Sequence, residues 1–281
     1  MKAEVAVVTG AGSGFGRLTA ETLAAAGWLV YGTLRDSHAK NAARAAALRE
    51  CGVRVIDLDV TRDDSVGGAA DRIVAEAGAI DVLINNAGIT YYGVLEAFTP
   101  AALERQFATN VFGPMRVNRA FLPSMRERKG GLVIYLSSVL GRLVVPFTGP
   151  YTASKWALEA LAETSRYELA PFGVDVAIVQ PDAFPTNINL SISGADDASR
   201  LASYGDVGRS SAALFAHIDD AAQRRDPQEV ADAIVRLANL PHGERPLRTT
   251  VPTYRAVDDI NSATATIQRE LLAAFGLGQA R

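Results

Sequence analysis

Val5-Ala6-Val7-Val8-Thr9-Gly10-Ala11-Gly12-Ser13-Gly14-Phe15-Gly16 stands close to the start of the chain. The first four residues are apolar, mostly β-branched, and ended by glycines, the pattern of a strand buried on both faces in a parallel sheet. Residues 17–26 have helical composition, and Gly27 is a suitable helix stop. Residues 29–34 then read as a second strand. Strand, glycine loop, helix and strand make the βαβ unit that binds dinucleotides. Gly10, Gly12, Gly14 and Gly16 let backbone N–H groups approach a pyrophosphate, and the helix N-terminus adds partial positive charge. Phe15 stands where the third glycine of G-x-G-x-x-G would fall, so a plain glycine-rich turn remains the other reading of this loop taken alone.

Outward from this unit, strands and helices continue to alternate. Further strands read at 53–58, 79–84, 131–136, 173–179 and 248–251. Residues 100–125 read as one long helix or two stacked ones, with Gly113-Pro114 bending the axis. Other helices run from 151 towards Gly173, over 228–240 after Pro227, and from about 262 to 275. Residues 183–226 show weak periodicity and read as a long loop serving as an active-site lid over the substrate. There is no internal repeat and no low-complexity linker. The expected fold is α/β: one domain over 1–281, a doubly wound parallel sheet of about seven strands with helices on both faces.

Composition narrows the function. The 281 residues are 48% hydrophobic and 21% charged, with a formal net charge of -3. No basic block favours nucleic acid. Cys51 is the single cysteine, which excludes an intrachain disulfide and suits a reducing compartment. Met1-Lys2-Ala3-Glu4 runs directly into the first strand and leaves no room for a signal peptide, so a cytoplasmic protein is expected. No apolar stretch is long enough to cross a bilayer. His38, His217 and His242 lie far apart without ligand-like spacing, so no metal is expected.

The chemistry concentrates in Pro150-Tyr151-Thr152-Ala153-Ser154-Lys155. Residues four apart on a helix share a face, so Tyr151 and Lys155 can direct a phenol and an ammonium into one cleft. A phenol titrates near 10 unperturbed, and an adjacent cation lowers that value. Such a pair can pass a proton to or from an alcohol oxygen.

Several strand ends carry polar or small residues, where open α/β sheets place ligands. Arg35 follows the second strand and suits a 2′-phosphate, favouring NADP(H). Asp36, if the loop shifts, would serve NAD(H) instead. Asp59 can accept from an adenine amino group or act in a helix cap. Asn86, Ala87 and Gly88 can line a cofactor without blocking it. Ser137 and Ser138 end the fifth strand, either as ligands or as turn formers. Asn110, a weak helix former inside an apolar face, either has a function or bonds its own backbone.

TGAGSGFG at 9–16, NNAG at 85–88, Asn110, SSVLG at 137–141 and YTASK at 151–155 together resemble the short-chain dehydrogenase/reductase family over about 5–188. The flanking VYGTLRD and PFTGPYTASKWALEALAE stretches look most like the branch holding 17β-hydroxysteroid and retinol dehydrogenases. The resemblance implies Tyr151 as the acid/base, and Lys155 holding the nicotinamide ribose and lowering the tyrosine pKa. The step of thirteen residues from Ser138 to Tyr151 selects Ser138 over Ser137 as the hydroxyl on the substrate oxygen. Asn110 would hold a water that links Lys155 to solvent. Gly10, Gly12, Ser13, Gly14, Phe15 and Gly16 would line the pyrophosphate and ribose. Asp59, Val60, Asn86, Ala87 and Gly88 would serve the adenosine side, and Pro181, Phe184 and Thr186 the carboxamide. The branch tends to use NADP with an arginine at the position of Arg35. Asp182 departs from the glycine that usually follows the proline. Such a residue could reshape the loop, alter substrate choice or point to water. The family commonly forms homodimers or homotetramers, and exposed apolar faces around 101–125 and 151–171 suit that.

The reading is an NADP(H)-dependent oxidoreductase interconverting a hydrophobic secondary alcohol and its ketone, or a primary alcohol and its aldehyde. The apolar segment 143–147 and the apolar residues of 183–226 carry the substrate part. A redox sensor that holds NADP(H) without turnover would not need Ser138, Tyr151, Lys155 and Asn110 together. An epimerase or dehydratase on the same fold is the third possibility, although its relatives usually have another glycine spacing and a larger C-terminal substrate domain.

Overall fold

The computed structural model describes residues 3–185 and 194–277. Its strands are β1 (Val5–Val8), β2 (Leu29–Leu34), β3 (Arg54–Asp57), β4 (Val82–Asn85), β5 (Gly131–Leu136), β6 (Val174–Pro181) and β7 (Arg248–Val251). They form one parallel sheet in the order β3-β2-β1-β4-β5-β6-β7. The helices are α1 (Gly14–Ala25), α2 (Ala42–Glu50), α3 (Asp63–Ala77), α4 (Pro100–Asn110), α5 (Phe112–Arg128), α6 (Gly149–Leu169), α7 (Ala198–Ser203), α8 (Gly205–Ala222), α9 (Gln228–Asn239) and α10 (Arg255–Ala274).

Successive strand residues point to opposite faces, and the two cores follow that period. Ala6 and Val8 of β1, with Leu132, Ile134 and Leu136 of β5, pack on Leu23 of α1 and Val230, Ile234 and Leu237 of α9. Val5 and Val7, with Val133 and Tyr135, pack on Ile73 of α3, Val117 and Phe121 of α5, and Leu158 of α6. Fully burying each large apolar side chain stabilises by about 1.5–3 kcal/mol. Helices therefore cover both faces of a doubly wound, Rossmann-like sheet. The strand order reverses between β1 and β4, which opens a crevice at their carboxyl ends.

Four sequence expectations change. First, α2 emerges from the alanine-rich run 42–50, in which only Ala45 and Leu48 are buried. Helix propensity, rather than an apolar stripe, makes this segment helical. Second, the break in 100–128 falls at Val111, and Pro114 sits in the first turn of α5, where its missing N–H costs no helical bond. Gly113 is there for close approach, since a Cβ would come within 2.9 Å of Val60 Cγ2.

Third, the described part of 183–226 is largely helical, as α7 and α8, rather than a loop. Small and polar residues had masked the period, but Leu214, Phe215, Ile218 and Ala222 of α8 all face one cleft. Residues 186–193 lie outside the described residues. Fourth, α10 begins at Arg255, seven residues before the expected start, because its apolar residues are mostly exposed and only Val257 is buried. Among the described residues, no helix is long and apolar enough to cross a membrane.

Candidate active site

A cleft of about 600 Å³ runs along the carboxyl ends of the strands. At one end the glycine loop turns over β1. Gly10 and Gly14 have φ of +67° and +54°, which side-chain-bearing residues rarely adopt. A Cβ on Gly16 would overlap Asn86 Nδ2 and lie 2.6 Å from the Gly10 carbonyl oxygen. The loop is tied down from below. Asn86 Nδ2 donates to the carbonyls of Thr9 (2.7 Å) and Gly10 (3.2 Å), while Thr9 Oγ1 accepts from the N–H groups of Asn86 and Ala87. No side chain caps α1, and its first turn holds no acid. Its orphan N–H groups and partial positive charge therefore suit an anion at the cleft.

The far rim of this end is cationic. Arg35 lines the cleft, and its Nη1 lies 3.9 Å from Asp59 Oδ2. Arg44 of α2 lines it too. It donates from Nη1 to Asn41 Oδ1 at 3.3 Å, and Asn41 Nδ2 donates to the Arg35 carbonyl at 2.8 Å. Asp36 is exposed with φ 51° and stands outside the cleft wall. Asp59 Oδ1 accepts from Thr61 N–H and Thr61 Oγ1 at 2.9 and 2.7 Å, a local turn. It is not the cap of α3, whose N-cap position is Arg62.

At the other end, β5 delivers two serines and α6 delivers the Tyr–Lys pair. Pro150 sits in the first turn of α6, and Tyr151 and Lys155 follow on one face, only 8% and 6% exposed. The serines divide. Ser137 donates inward to Glu159 Oε1 at 2.9 Å, whereas Ser138 Oγ accepts from the Leu140 N–H at 3.1 Å and faces the Tyr151 phenol across the cleft wall. Lys155 Nζ donates to the Leu136 carbonyl at 2.7 Å and lies 5.6 Å from the centre of the Tyr151 ring.

Burial pushes the Tyr151 phenol up, Tyr92 adds to this, and the Ser138 hydrogen bond opposes it. Burial also pulls the Lys155 ammonium down to about 8, against the pull of Glu159. Desolvation, rather than Lys155, thus sets the direction of the phenol's shift.

Of the residues singled out from the sequence, Gly10, Gly12, Ser13, Gly14, Phe15, Arg35, Asp59, Val60, Asn86, Ala87, Gly88, Ser138, Tyr151, Lys155, Pro181 and Phe184 line this cleft. Thr186 lies outside the described residues. Gly16 and Asn110 stand behind the wall. Asn110 clamps Ile89, accepting its N–H and donating to its carbonyl, both at 2.9 Å, and also donates to Ser154 Oγ at 3.1 Å. Both amide hydrogens are therefore spent on holding 85–89 against α6.

Asp182 is held at the cleft wall rather than free in water. It accepts from Arg225 Nη1 at 2.9 Å and from the Ala183 N–H at 2.8 Å. Arg225 lies over the Phe184 ring at 5.7 Å, and Phe184 meets Phe15 edge-on at 5.6 Å. Phe215 of α8 stacks on Tyr92 at 4.4 Å, and Tyr92 meets Tyr151 edge-on at 6.0 Å. Sequence reading missed Arg44, Tyr92, Glu159 and Arg225. The Arg44 signal lay in the alanine-rich helix; the others gave none without their partners. Among the described residues, no group of His, Cys, Asp and Glu gathers as a metal site.

Comparison with known proteins agrees with this geometry. The family model for short chain dehydrogenase matches residues 4–196. A 3-ketodihydrosphingosine reductase of Bacteroides thetaiotaomicron is 40% identical over 195 residues, covering 68% of this chain and 69% of its own. Estradiol 17-beta-dehydrogenase 1 of Rattus norvegicus is 34% identical, covering 86% and 72%. Among solved structures, a short-chain dehydrogenase from Streptomyces avermitilis matches with TM-score 0.78 and 35% identity over 99% and 98% of the two chains. A metagenomic short-chain oxidoreductase in complex with NADP gives 0.69 at 28% identity over 89% and 98%. A Burkholderia phymatum relative in complex with NAD gives 0.75 at 26% over 98% and 95%.

Proposed function

The chain belongs to the short chain dehydrogenase family, on the side of the 17β-hydroxysteroid and retinol dehydrogenases, and from that premise we propose that it is an NADP(H)-dependent oxidoreductase that interconverts a hydrophobic ketone and its secondary alcohol. The convergence of Ser138, Tyr151 and Lys155 on one cleft wall carries this reading. The uncapped α1 N-terminus and the glycine loop fit a pyrophosphate. Bound there, the nicotinamide cofactor supplies the hydride. The protein supplies position, a proton and a site with little water.

Tyr151, held protonated by burial, donates its proton to the carbonyl oxygen. Ser138 hydrogen-bonds the same oxygen and fixes its place. The Lys155 ammonium stabilises the phenolate left behind. Asn110 acts as a positioning residue through Ile89 and Ser154.

Preference for NADP(H) over NAD(H) is supported by Arg35 and Arg44 on the rim and by Asp36 lying off it. The relatives' complexes hold either cofactor. Leu143, Val145, Leu214, Phe215 and Ile218 support an apolar substrate, with α8 as the lid. One relative is named as a 3-ketodihydrosphingosine reductase, a ketone reductase by that name. Exposed Phe112, Met115 and Trp156 on α5 and α6 suit a homodimer or homotetramer, which light scattering measures.

The test is a fluorescence titration with NADPH and NADH, followed by a panel of ketones and aldehydes. Tyr151→Phe should keep NADPH affinity and lose turnover by roughly two to four orders of magnitude. Retained activity would remove Tyr151 from the chemistry. Native protein that binds NADPH but reduces nothing would favour a sensor.

A further inference from the structure

Glu159 is a carboxylate that the proposed chemistry does not touch, and it is 2% exposed. It lies one helical turn beyond Lys155 on the inner face of α6. Its Oε1 accepts from Ser137 Oγ at 2.9 Å and from Gln180 Nε2 at 2.7 Å, and its Oε2 accepts from Arg248 Nε at 2.8 Å. Three strands thus meet on one carboxylate. Ser137 directly follows β5 and precedes Ser138, Gln180 precedes Pro181 on β6, and Arg248 opens β7. Gln180 is itself oriented by Asn261 of α10, whose Nδ2 donates to Gln180 Oε1 at 2.7 Å. Gly141 leaves the room this requires, since a Cβ there would lie 2.7 Å from both Glu159 Oε1 and Ser137 Oγ.

We propose that Glu159 is a positioning residue for the reaction. It pins the strand ends that carry Ser138 and Pro181 against α6 and holds a negative charge one turn from Lys155. This rests on the role assigned above to Ser138, Tyr151 and Lys155.

A buried carboxylate needs full satisfaction, and this one has it. The charges facing it are Lys155 and Glu163 from α6, Arg248 from β7, and Arg142 from the segment after β5. Arg248 is shared, because its Nη2 reaches Glu163 at 2.6 Å. Two carboxylates against one tightly paired arginine leave negative charge to act on Lys155, and Arg142, turned aside to Thr264, offsets part of it. A simple structural brace would need the hydrogen bonds alone. The charge is what separates the two roles, because it acts on Lys155 through space.

Two variants and one binding readout divide charge from geometry. NADPH affinity, followed by fluorescence from pH 6 to pH 10, should weaken in the native protein as pH passes about 8, where the Lys155 ammonium loses its proton. Glu159→Gln should move that fall to lower pH, so affinity at pH 8 drops several-fold while affinity at pH 6 stays within about twofold. Ser137→Ala keeps the charge and frees the β5 end. It should lower kcat several-fold, with little change in KM and an unmoved pH midpoint.

A folded Glu159→Gln with the native midpoint overturns the electrostatic half, and native kcat in Ser137→Ala overturns the geometric half. If Glu159→Gln does not fold, Glu159→Asp carries the comparison: it keeps the charge, so the midpoint should hold while kcat falls, and a moved midpoint counts against the proposal. The readings fail separately. A Tyr151→Phe variant with native turnover removes the reaction but leaves the NADPH midpoint shift standing.

Discussion

The two ends of the cleft are built in opposite ways. The pyrophosphate end is made of backbone: glycines in positive φ, uncapped N–H groups of α1, and a hydrogen-bonded tie from Thr9 to Asn86. The reaction end is made of side chains from β5, β6, β7, α6 and α8 that meet over long sequence separations. The first leaves almost no room for change at Gly10 and Gly16, because a Cβ there would run into the 85–88 segment or the loop's own backbone. The second is pinned piece by piece, so its parts fail to different degrees.

The sharpest way to break that contrast is Gly16→Ala. The added Cβ meets Asn86 and the Gly10 carbonyl with no flexible partner to yield. Overpacking of this kind costs about 1–3 kcal/mol. Felt in the bound state, that weakens NADPH by roughly ten- to hundredfold, and the melting temperature should fall as well. Native NADPH affinity in Gly16→Ala would show that the backbone end is less rigid than its packing implies.

Next in size is the rim. Arg44→Ala and Arg35→Ala each remove a cation that can reach a 2′-phosphate, and hydrogen bonds to charged groups contribute about 1.5–3 kcal/mol. Each should weaken NADPH by roughly tenfold or more and leave NADH within about twofold, read by the same titration. Equal losses for both cofactors would reassign the arginines to general steering.

The smallest effect belongs to Asp182→Ala, at the reaction end. Its pair with Arg225 is partly exposed, with side chains 26% and 33% accessible, and such pairs are worth about 0–1 kcal/mol. KM for the carbonyl substrate should rise by at most about fivefold, and the double variant with Arg225→Ala should be no worse than either alone. A larger change in kcat than in KM would place Asp182 closer to the chemistry than its geometry does.

The contrast also explains what could be read from the chain. Val5–Gly16 and the Tyr151–Lys155 spacing are local patterns, and local rules read them directly. The seven strands followed from apolar runs and their glycine stops. The helices α2 and α8 did not follow, because alanine-rich and small-residue segments carry propensity without a strong apolar stripe. Arg44 was hidden with α2. Asn110 left two readings open, and the structure removes one of them, since its amide clamps Ile89 rather than its own helix backbone.

By itself the sequence determined the βαβ unit, the alternating buried strands and the presence of a phenol and an ammonium on one helix face. Those depend on residues a few positions apart, whose relative placement is set by backbone geometry. Only the tertiary structure decided where Ser137 and Asp182 point, what Glu159 gathers and what covers the cleft. Those contacts join residues from 21 to 89 positions apart at Glu159 alone, and such distances close only when the whole sheet has assembled.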